Sequence, residues 1–414
     1  MARTMRGSAL SFTALVLATG CGSSEEPKSA GSAGAGNAGS SGASGTTGGS
    51  TGATAGTAGT TGGAAGTTGG TAGTTGGADS GLSGSGGSAA GSSGAGGSGG
   101  TPSTLPTKIV EIEIPDLPGC VNAYPHDPAV DEATGFVYWA GSNESCIGQY
   151  NPDTQAFVAW RTPTPSSYPH GLDVGGDGLV YYTARNANRI GRVNPANGMA
   201  EDFAVNAGGP HTPVFHQGAL WFTAQSGGQF GRFNPATRTA DVYPFSSAST
   251  GPYGIWPAPD GSLWVALFDT NRVARIDTSA APPRAEEFPL PNAASRPRRI
   301  AVDANGLVWY TDYARRMLGR MDPSALAATR FMEWPSPGGG RPYGIVIGPD
   351  GRVWFNDQEA PEIVGFDQTT QAVVARLRLE LPNPGPVRNI DVDRVRKRIW
   401  LAISNVGRLG LIQF

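Results

Sequence analysis

The stretch Gly251-Pro252-Tyr253-Gly254-Ile255 returns, changed only at its first residue, as Arg341-Pro342-Tyr343-Gly344-Ile345. Its proline recurs at intervals of 41 to 45 residues, at Pro125, Pro169, Pro210, Pro252, Pro297, Pro342 and Pro386. An aromatic anchor keeps the same phase at Tyr138, Tyr181, Trp221, Trp264, Trp309, Trp354 and Trp400. A small-residue anchor follows at Gly148, Gly191, Gly231, Ala274, Gly319, Gly365 and Gly410. Such a period is typical of propeller blades, so we predict an all-β, seven-bladed β-propeller over residues 107–414.

One unit shows how each blade is built. The copy that begins at Pro252 contains four short segments with strand composition, at 254–257, 263–267, 272–276 and 286–290. Asp260-Gly261 separates the first two and predicts a tight hairpin turn. Because no segment shows a capped apolar pattern of period 3.6, we expect almost no helix.

The two ends of the repeat array complement each other. The seventh unit contains three strand-like segments, at 387–392, 398–403 and 408–412, and the sequence stops at Phe414. Residues 108–114 precede the first unit and have the alternating apolar pattern of a strand. We therefore predict that 108–114 completes the last blade and closes the ring, which removes two exposed sheet edges.

Residues 1–21 have the composition of an export signal. Arg3 and Arg6 precede an apolar run over 8–18 that is too short to span a membrane. Leu17-Ala18-Thr19-Gly20-Cys21 resembles a lipoprotein cleavage site with Cys21 as the lipidated residue. An ordinary signal peptide cut nearby is the alternative. Both interpretations export the chain, and the first attaches it to the cell envelope through a lipid anchor only.

Residues 22–106 are almost entirely Gly, Ser, Ala and Thr up to position 104. A segment of this composition cannot bury enough apolar surface to offset its chain entropy, so we predict a disordered linker. About 80 flexible residues reach roughly 50 Å, which suits a tether between a membrane and a folded domain.

Charge and cysteine content narrow the function further. The formal net charge is −3, and no basic patch is interleaved with aromatic residues, so we expect no nucleic-acid partner. We also expect a monomer. Besides Cys21 the chain has Cys120 and Cys146, an even pair in an exported domain. Their places in the first unit put both at the same face of a propeller, which favours a disulfide. Two buried free thiols are the alternative.

Several repeat motifs resemble the virginiamycin B lyase (streptogramin lyase) family. They are Gly251-Pro-Tyr-Gly-Ile, Gly218-Ala-Leu-Trp-Phe-Thr, Asn188-Arg-Ile-Gly-Arg and Glu287-Phe-Pro-Leu-Pro. The resemblance covers all seven repeats and none of the first 104 residues. It implies a seven-bladed propeller that opens the ester of a cyclic depsipeptide by elimination, with magnesium assisting.

The same resemblance places the family's catalytic groups directly after the repeat proline, with Glu-Pro-His in one repeat. We call this position the slot. In this chain the slot residues are His126, His170, His211, Tyr253, Arg298, Tyr343 and Val387. Aligned blade for blade, the family's two histidines fall on Tyr343 and Val387 and its glutamate on Gly385. A rotated register supplies His170, His211 and Tyr253, but Gly209 then replaces the glutamate, so no register restores Glu-Pro-His.

Three of the four histidines occupy the slot in consecutive units, and two interpretations remain open. One is repeat duplication, with His126, His170 and His211 packing on their loops. The other is a pocket that binds a divalent metal through these three histidines, or performs acid–base chemistry with them and Tyr253. Asp127 and Asp173 could orient the imidazoles.

A cationic cluster, formed by Arg296, Arg298, Arg299 and Arg341, falls in the fifth and sixth units. One interpretation is a binding surface at the channel mouth, with Arg298, Tyr343 and Arg341 contacting a small-molecule or peptide ligand. The other is a solvated rim with ion pairs to Glu286 or Glu287.

Two functions of different class follow. The first is a metal-assisted carbon–oxygen lyase acting on a cyclic or ester-containing small molecule. The second is a non-catalytic propeller that binds a ligand or protein at the cell envelope. The missing Glu-Pro-His favours the second, and the clustered histidines favour the first.

Overall fold

The computed structural model describes residues 105–414 apart from Pro382 and Pro384. The predicted signal, its Cys21 and the linker up to residue 104 lie outside the described residues. Within the described part there is no α-helix, and hence no helix long and apolar enough to cross a membrane.

The described residues form seven four-stranded antiparallel sheets. In chain order the strands are β1 (Val110–Glu113), β2 (Pro125–Val130), β3 (Val137–Gly141), β4 (Cys146–Asn151), β5 (Ala156–Arg161), β6 (Pro169–Val174), β7 (Val180–Ala184), β8 (Arg189–Val193), β9 (Ala200–Ala204), β10 (Pro210–His216), β11 (Ala219–Ala224), β12 (Gln229–Asn234), β13 (Thr239–Pro244), β14 (Pro252–Pro257), β15 (Leu263–Leu267), β16 (Arg272–Asp277), β17 (Arg284–Pro289), β18 (Pro297–Val302), β19 (Val308–Asp312), β20 (Met317–Met321), β21 (Phe331–Pro335), β22 (Pro342–Ile347), β23 (Val353–Asp357), β24 (Glu362–Asp367), β25 (Ala372–Arg378), β26 (Val387–Asp393), β27 (Arg398–Ile403) and β28 (Arg408–Gln413). Three short 3-10 helices span Arg185–Ala187, Gln225–Gly227 and Pro337–Gly339.

Ring closure follows the predicted scheme. Six sheets take four consecutive strands each, whereas the last has the order β1-β28-β27-β26. The closing strand β1 pairs antiparallel with β28 and is shorter than the segment 108–114. The seven-bladed propeller and its closure by the first strand are therefore confirmed.

The repeat anchors are packing residues of the blades. Gly148 pairs across the sheet with Trp139, and a Cβ at this glycine would lie 1.9 Å from the indole ring. The glycine thus makes room for an aromatic ring that crosses the neighbouring strand. In the fourth unit the glycine is replaced by Ala274, and the residue opposite it is Val265. Because valine is smaller than an aromatic residue, alanine fits at this position.

Candidate functional site

A backbone irregularity holds each slot residue at the channel. In most innermost strands the register shifts directly after the repeat proline, as between Pro169 and Leu172. Side chains of the preceding blade then bond to the slot carbonyls: Thr183 Oγ1 donates to the His211 carbonyl over 2.6 Å, and Thr223 Oγ1 to that of Tyr253 over 2.7 Å. Neighbouring blades therefore fix the slot side chains relative to one another.

The first four slot side chains form one stack, which we call the histidine layer: His126, His170, His211 and Tyr253. Successive ring centroids lie 3.9, 3.7 and 3.9 Å apart. The exposed fraction is 2% for His126 and 0% for the other three. The structure thus brings the predicted residues together, but as a buried stack of rings.

Arg299, one residue after a slot, connects three blades beneath this layer. Its guanidinium donates to both carboxylate oxygens of Asp127, at 3.0 and 3.1 Å, and to Thr212 Oγ1 at 3.1 Å. Asp127 and Thr212 in turn lie within 2.9 and 3.0 Å of the Nδ1 atoms of His126 and His211. One buried guanidinium therefore positions two imidazoles through their neighbours. We call Arg299, Asp127 and Thr212 the arginine layer.

The charge state of Asp127 follows from these contacts. Burial alone would raise the pKa of its carboxyl, but the Arg299 guanidinium and the hydrogen bond from His126 outweigh burial and lower the pKa to about 2. An ionised carboxylate only accepts hydrogen bonds, so His126 Nδ1 is the donor. A neutral His126 then carries its lone pair on Nε2.

The predicted binding residues Arg298 and Tyr343 meet at the same mouth. The Arg298 guanidinium lies 4.5 to 4.8 Å from the ring centroids of four aromatic residues: Tyr253, Phe268, Tyr313 and Tyr343. Arg298 also donates to the Tyr253 hydroxyl over 3.1 Å, and that hydroxyl bonds to the hydroxyl of Tyr343. Tyr253 therefore contacts both Arg298 and the His211 ring.

The remaining arginines of the cluster have other partners than Glu286 and Glu287. Arg341 forms an ion pair with Glu359 over 2.7 Å and lies over the ring of Tyr313. Arg299 pairs with Asp127, and Arg296 donates to the carbonyls of Ala293 and Ser295. The proposed rim pairing to Glu286 or Glu287 was wrong, because these carboxylates lie on an outer strand, β17.

The two aspartates proposed to orient imidazoles behave differently. Asp127 does so for His126. Asp173 instead accepts hydrogen bonds from the backbone N–H groups of Val174 and Phe215, over 2.8 and 2.6 Å. Three positions separate it from His170 along β6, which carries its carboxylate past the arginine layer.

The predicted disulfide joins Cys120 and Cys146, whose Cα atoms lie 5.8 Å apart. Cys146 opens β4, and both cysteines are fully buried. The bond ties the loop that precedes the first innermost strand to its own blade.

Three groups of this site offer metal ligands. Atoms of His126, Asp127 and His170 lie within 4.8 Å of one another. Magnesium prefers an octahedral set of oxygens. In this group of described residues the carboxylate is that of Asp127, and both of its oxygens already bind Arg299. The residues present therefore do not fit magnesium, whereas imidazole nitrogens suit zinc or nickel.

Fold and site together define a seven-bladed propeller in which four consecutive slot side chains, three of them imidazoles, stack on one another. The model of the virginiamycin B lyase family matches residues 128–366 and 243–413. The chain belongs to the virginiamycin B lyase family. No curated protein sequence matches it.

Solved structures with the same fold include virginiamycin B lyase from Staphylococcus aureus, at 22% identity and a TM-score of 0.66, covering 74% of this chain and 99% of that one. A catalytically inactive variant of that enzyme with quinupristin matches at 21% identity and a TM-score of 0.65, and the match covers 74% of this chain and 99% of that one. Hydrazine synthase from Kuenenia stuttgartiensis matches at 14% identity and a TM-score of 0.61, and the match covers 73% of this chain and 97% of that one. Identities this low show the fold alone.

Proposed function

We propose that the chain is a non-catalytic, ligand-binding propeller and not a streptogramin lyase. The observation that supports this is the sealing of the histidine layer, whose four rings are at most 2% exposed and stack on one another. A base that starts an elimination must contact the carbon-bound proton it removes. His170 and His211, each packed between two other rings, offer a substrate no such contact, and His126 at the end of the stack is only 2% exposed.

Departures from the family's sequence motif also favour a non-catalytic role. Gly209 and Gly385 stand where the family pattern would place its glutamate, and Arg298 fills the fifth slot against four aromatic rings. We also propose that a lipid on Cys21 and the 22–106 linker display the propeller at the cell envelope, where it binds a small-molecule or peptide ligand.

The test is ring opening of quinupristin by the full chain, with magnesium present, followed by liquid chromatography. Virginiamycin B lyase from Staphylococcus aureus serves as the positive control. We expect no ring-opened product above the buffer control, because the imidazoles are covered. Ring opening that survives purification would overturn the binding proposal.

Elimination at His126 is the second candidate, and the Asp127–His126 hydrogen bond favours it. A donating Nδ1 leaves Nε2 as the basic nitrogen, which is the arrangement of an oriented general base. If ring opening occurs, this candidate requires its loss in His126→Ala and its retention in His216→Ala. His216 is the matched control, since it ends β10 and bonds to the Gly261 carbonyl outside the layer.

We further propose that the histidine layer binds a zinc- or nickel-type ion through His126, His170 and His211. Asp127 then serves as the carboxylate that orients His126, a common arrangement behind metal-bound imidazoles. Binding to the folded state alone stabilises it in proportion to the logarithm of metal concentration. We expect the melting temperature to rise with zinc and not with magnesium.

The control for the metal prediction is the triple variant His126→Ala, His170→Ala, His211→Ala, compared with His216→Ala. Loss of the zinc response in the triple variant alone supports the site. A folded triple variant that keeps the full response, or a wild-type protein without one, shows that these histidines are packing residues only.

A further inference from the structure

A cavity of about 410 Å³ occupies the propeller axis beyond the arginine layer. Asp127, Thr212 and Arg299 form part of its wall, and the rest comes from the later residues of the innermost strands and from the loops that follow them. No slot side chain lines it. The arginine layer therefore separates this cavity from the histidine layer, and its volume is within the range of small-molecule sites.

Two half-buried carboxylates give the cavity its charge. Asp173 and Asp391 occupy equivalent positions of β6 and β26, opposite Tyr181 and Trp400. Asp391 accepts a hydrogen bond from the Val130 backbone over 2.8 Å, just as Asp173 does from Phe215. Neither carboxylate forms an ion pair with any residue in the described part of the chain.

The other charged groups of the wall neutralise one another or are used in a turn. Asp127 pairs with Arg299, and Glu132 pairs with Arg394 over 3.4 Å. Asp131 accepts from Ala133 and Thr134 within its own turn. Asp173 and Asp391 thus remain without an ion pair among the described residues, although Arg394, which is paired with Glu132, also attracts the Asp391 carboxylate.

Burial raises the pKa of Asp173 to about 7 and that of Asp391 to about 6, and repulsion from Asp391 adds to the shift at Asp173. Their backbone hydrogen bonds act in the opposite direction and do not compensate. A cation between the two carboxylates would relieve both causes.

The wall also holds a buried donor. Arg299 is 4% exposed, and its Nε has no hydrogen-bond partner among the described residues, although both Nη groups are used. A buried donor of this kind calls for an acceptor atom. Apolar side chains cover much of the remaining surface: Trp256, Ile255, Ile300, Phe215 and Ile390.

We propose that this cavity binds a small organic amine, with its ammonium group between Asp173 and Asp391 and an acceptor oxygen toward Arg299 Nε. A calcium ion fits less well, because it takes six to eight oxygens and each of these two carboxylates already accepts a backbone hydrogen bond. The inference goes beyond the proposed function, since it holds whether or not the histidine layer catalyses a reaction.

The experiment is calorimetric titration of the full chain at pH 8 with tyramine and with tyrosol, which carries a hydroxyl in place of the ammonium. We expect tyramine to bind at least about tenfold more tightly than tyrosol. Asp391→Asn and Asp173→Asn should each weaken tyramine binding at least about fivefold while keeping a backbone acceptor. Asp241→Asn, an exposed acid on the outer strand β13, should leave it unchanged.

The proposal is overturned if tyramine does not bind, or if tyramine and tyrosol bind with equal affinity. It is also overturned if Asp391→Asn binds tyramine as tightly as the wild-type protein does. Stabilisation by calcium that chelation reverses would instead assign the two carboxylates to a metal ion. If Asp173→Asn does not fold, the tyramine–tyrosol comparison and Asp391→Asn still decide. Quinupristin ring opening is measured separately, so the two proposals can fail independently.

Discussion

Replacing Arg299 by methionine is expected to lower the free energy of unfolding by about 3–5 kcal/mol, the usual cost of removing one partner of a buried ion pair. The guanidinium and the Asp127 carboxylate are only 4% and 3% exposed. Methionine fills similar volume but leaves Asp127 as an uncompensated charge in the channel. Thr212 also loses its donor, so the imidazoles of His126 and His211 lose their common support.

The matched control is the double variant Asp127→Asn, Arg299→Met, measured with both single variants by urea unfolding. Because the double variant no longer buries a lone charge, we expect it to be more stable than Arg299→Met alone. A double variant that is less stable than the wild type by the sum of the two single effects would show that the two residues do not interact.

Much of the fold could be predicted from the sequence, because each blade repeats the same local solution. Pro252 marks where an innermost strand begins, and Trp264 marks the second strand three residues after the turn glycine Gly261. The pairing of β1 with β28 could also be predicted, since only three strand segments remain in the seventh unit. Strand bounds differed by one to two residues, as between the predicted 286–290 and β17 (Arg284–Pro289).

The site was predicted less completely. The slot histidines lie together because equivalent positions of adjacent blades converge, which the repeat alone implies. Whether they are open or sealed depends on residues that break the repeat. Arg299 pairs with Asp127 across 172 positions of sequence, and no local pattern relates them. The one available indication was that Asp127 and Arg299 both follow a slot residue, in units one and five.

The sequence alone also does not indicate the two cavity carboxylates, Asp173 and Asp391, for a related reason. The spacing of three residues between His170 and Asp173 indicates an orienting carboxylate only if strand geometry is ignored. A strand advances about 3.3 Å per residue, so three residues separate the two side chains by one layer of the channel. Asp391 became relevant only when the ring closed and brought the seventh blade beside the first.

Deleting residues 105–115 is expected to lower the melting temperature by about 10 °C or more. The deletion removes β1 and the buried side chains of Ile109 and Ile114, which are 2% and 9% exposed. Burying an isoleucine stabilises a fold by about 1.5–3 kcal/mol, and 1 kcal/mol corresponds to about 2–4 °C in a domain of this size class. The loss also uncovers the outer edge of β28, so the variant should self-associate as its concentration rises.

The control is Val110→Thr, which changes a 42% exposed position of the same strand and should shift the melting temperature little. A synthetic peptide of residues 105–116 added to the deletion variant should restore part of the lost stability, because β28 still presents its hydrogen-bonding groups. An unchanged melting curve after deletion would mean that the other three strands of the last blade hold the ring together without β1. In that case packing between neighbouring blades, and not the shared sheet, would be what closes the propeller.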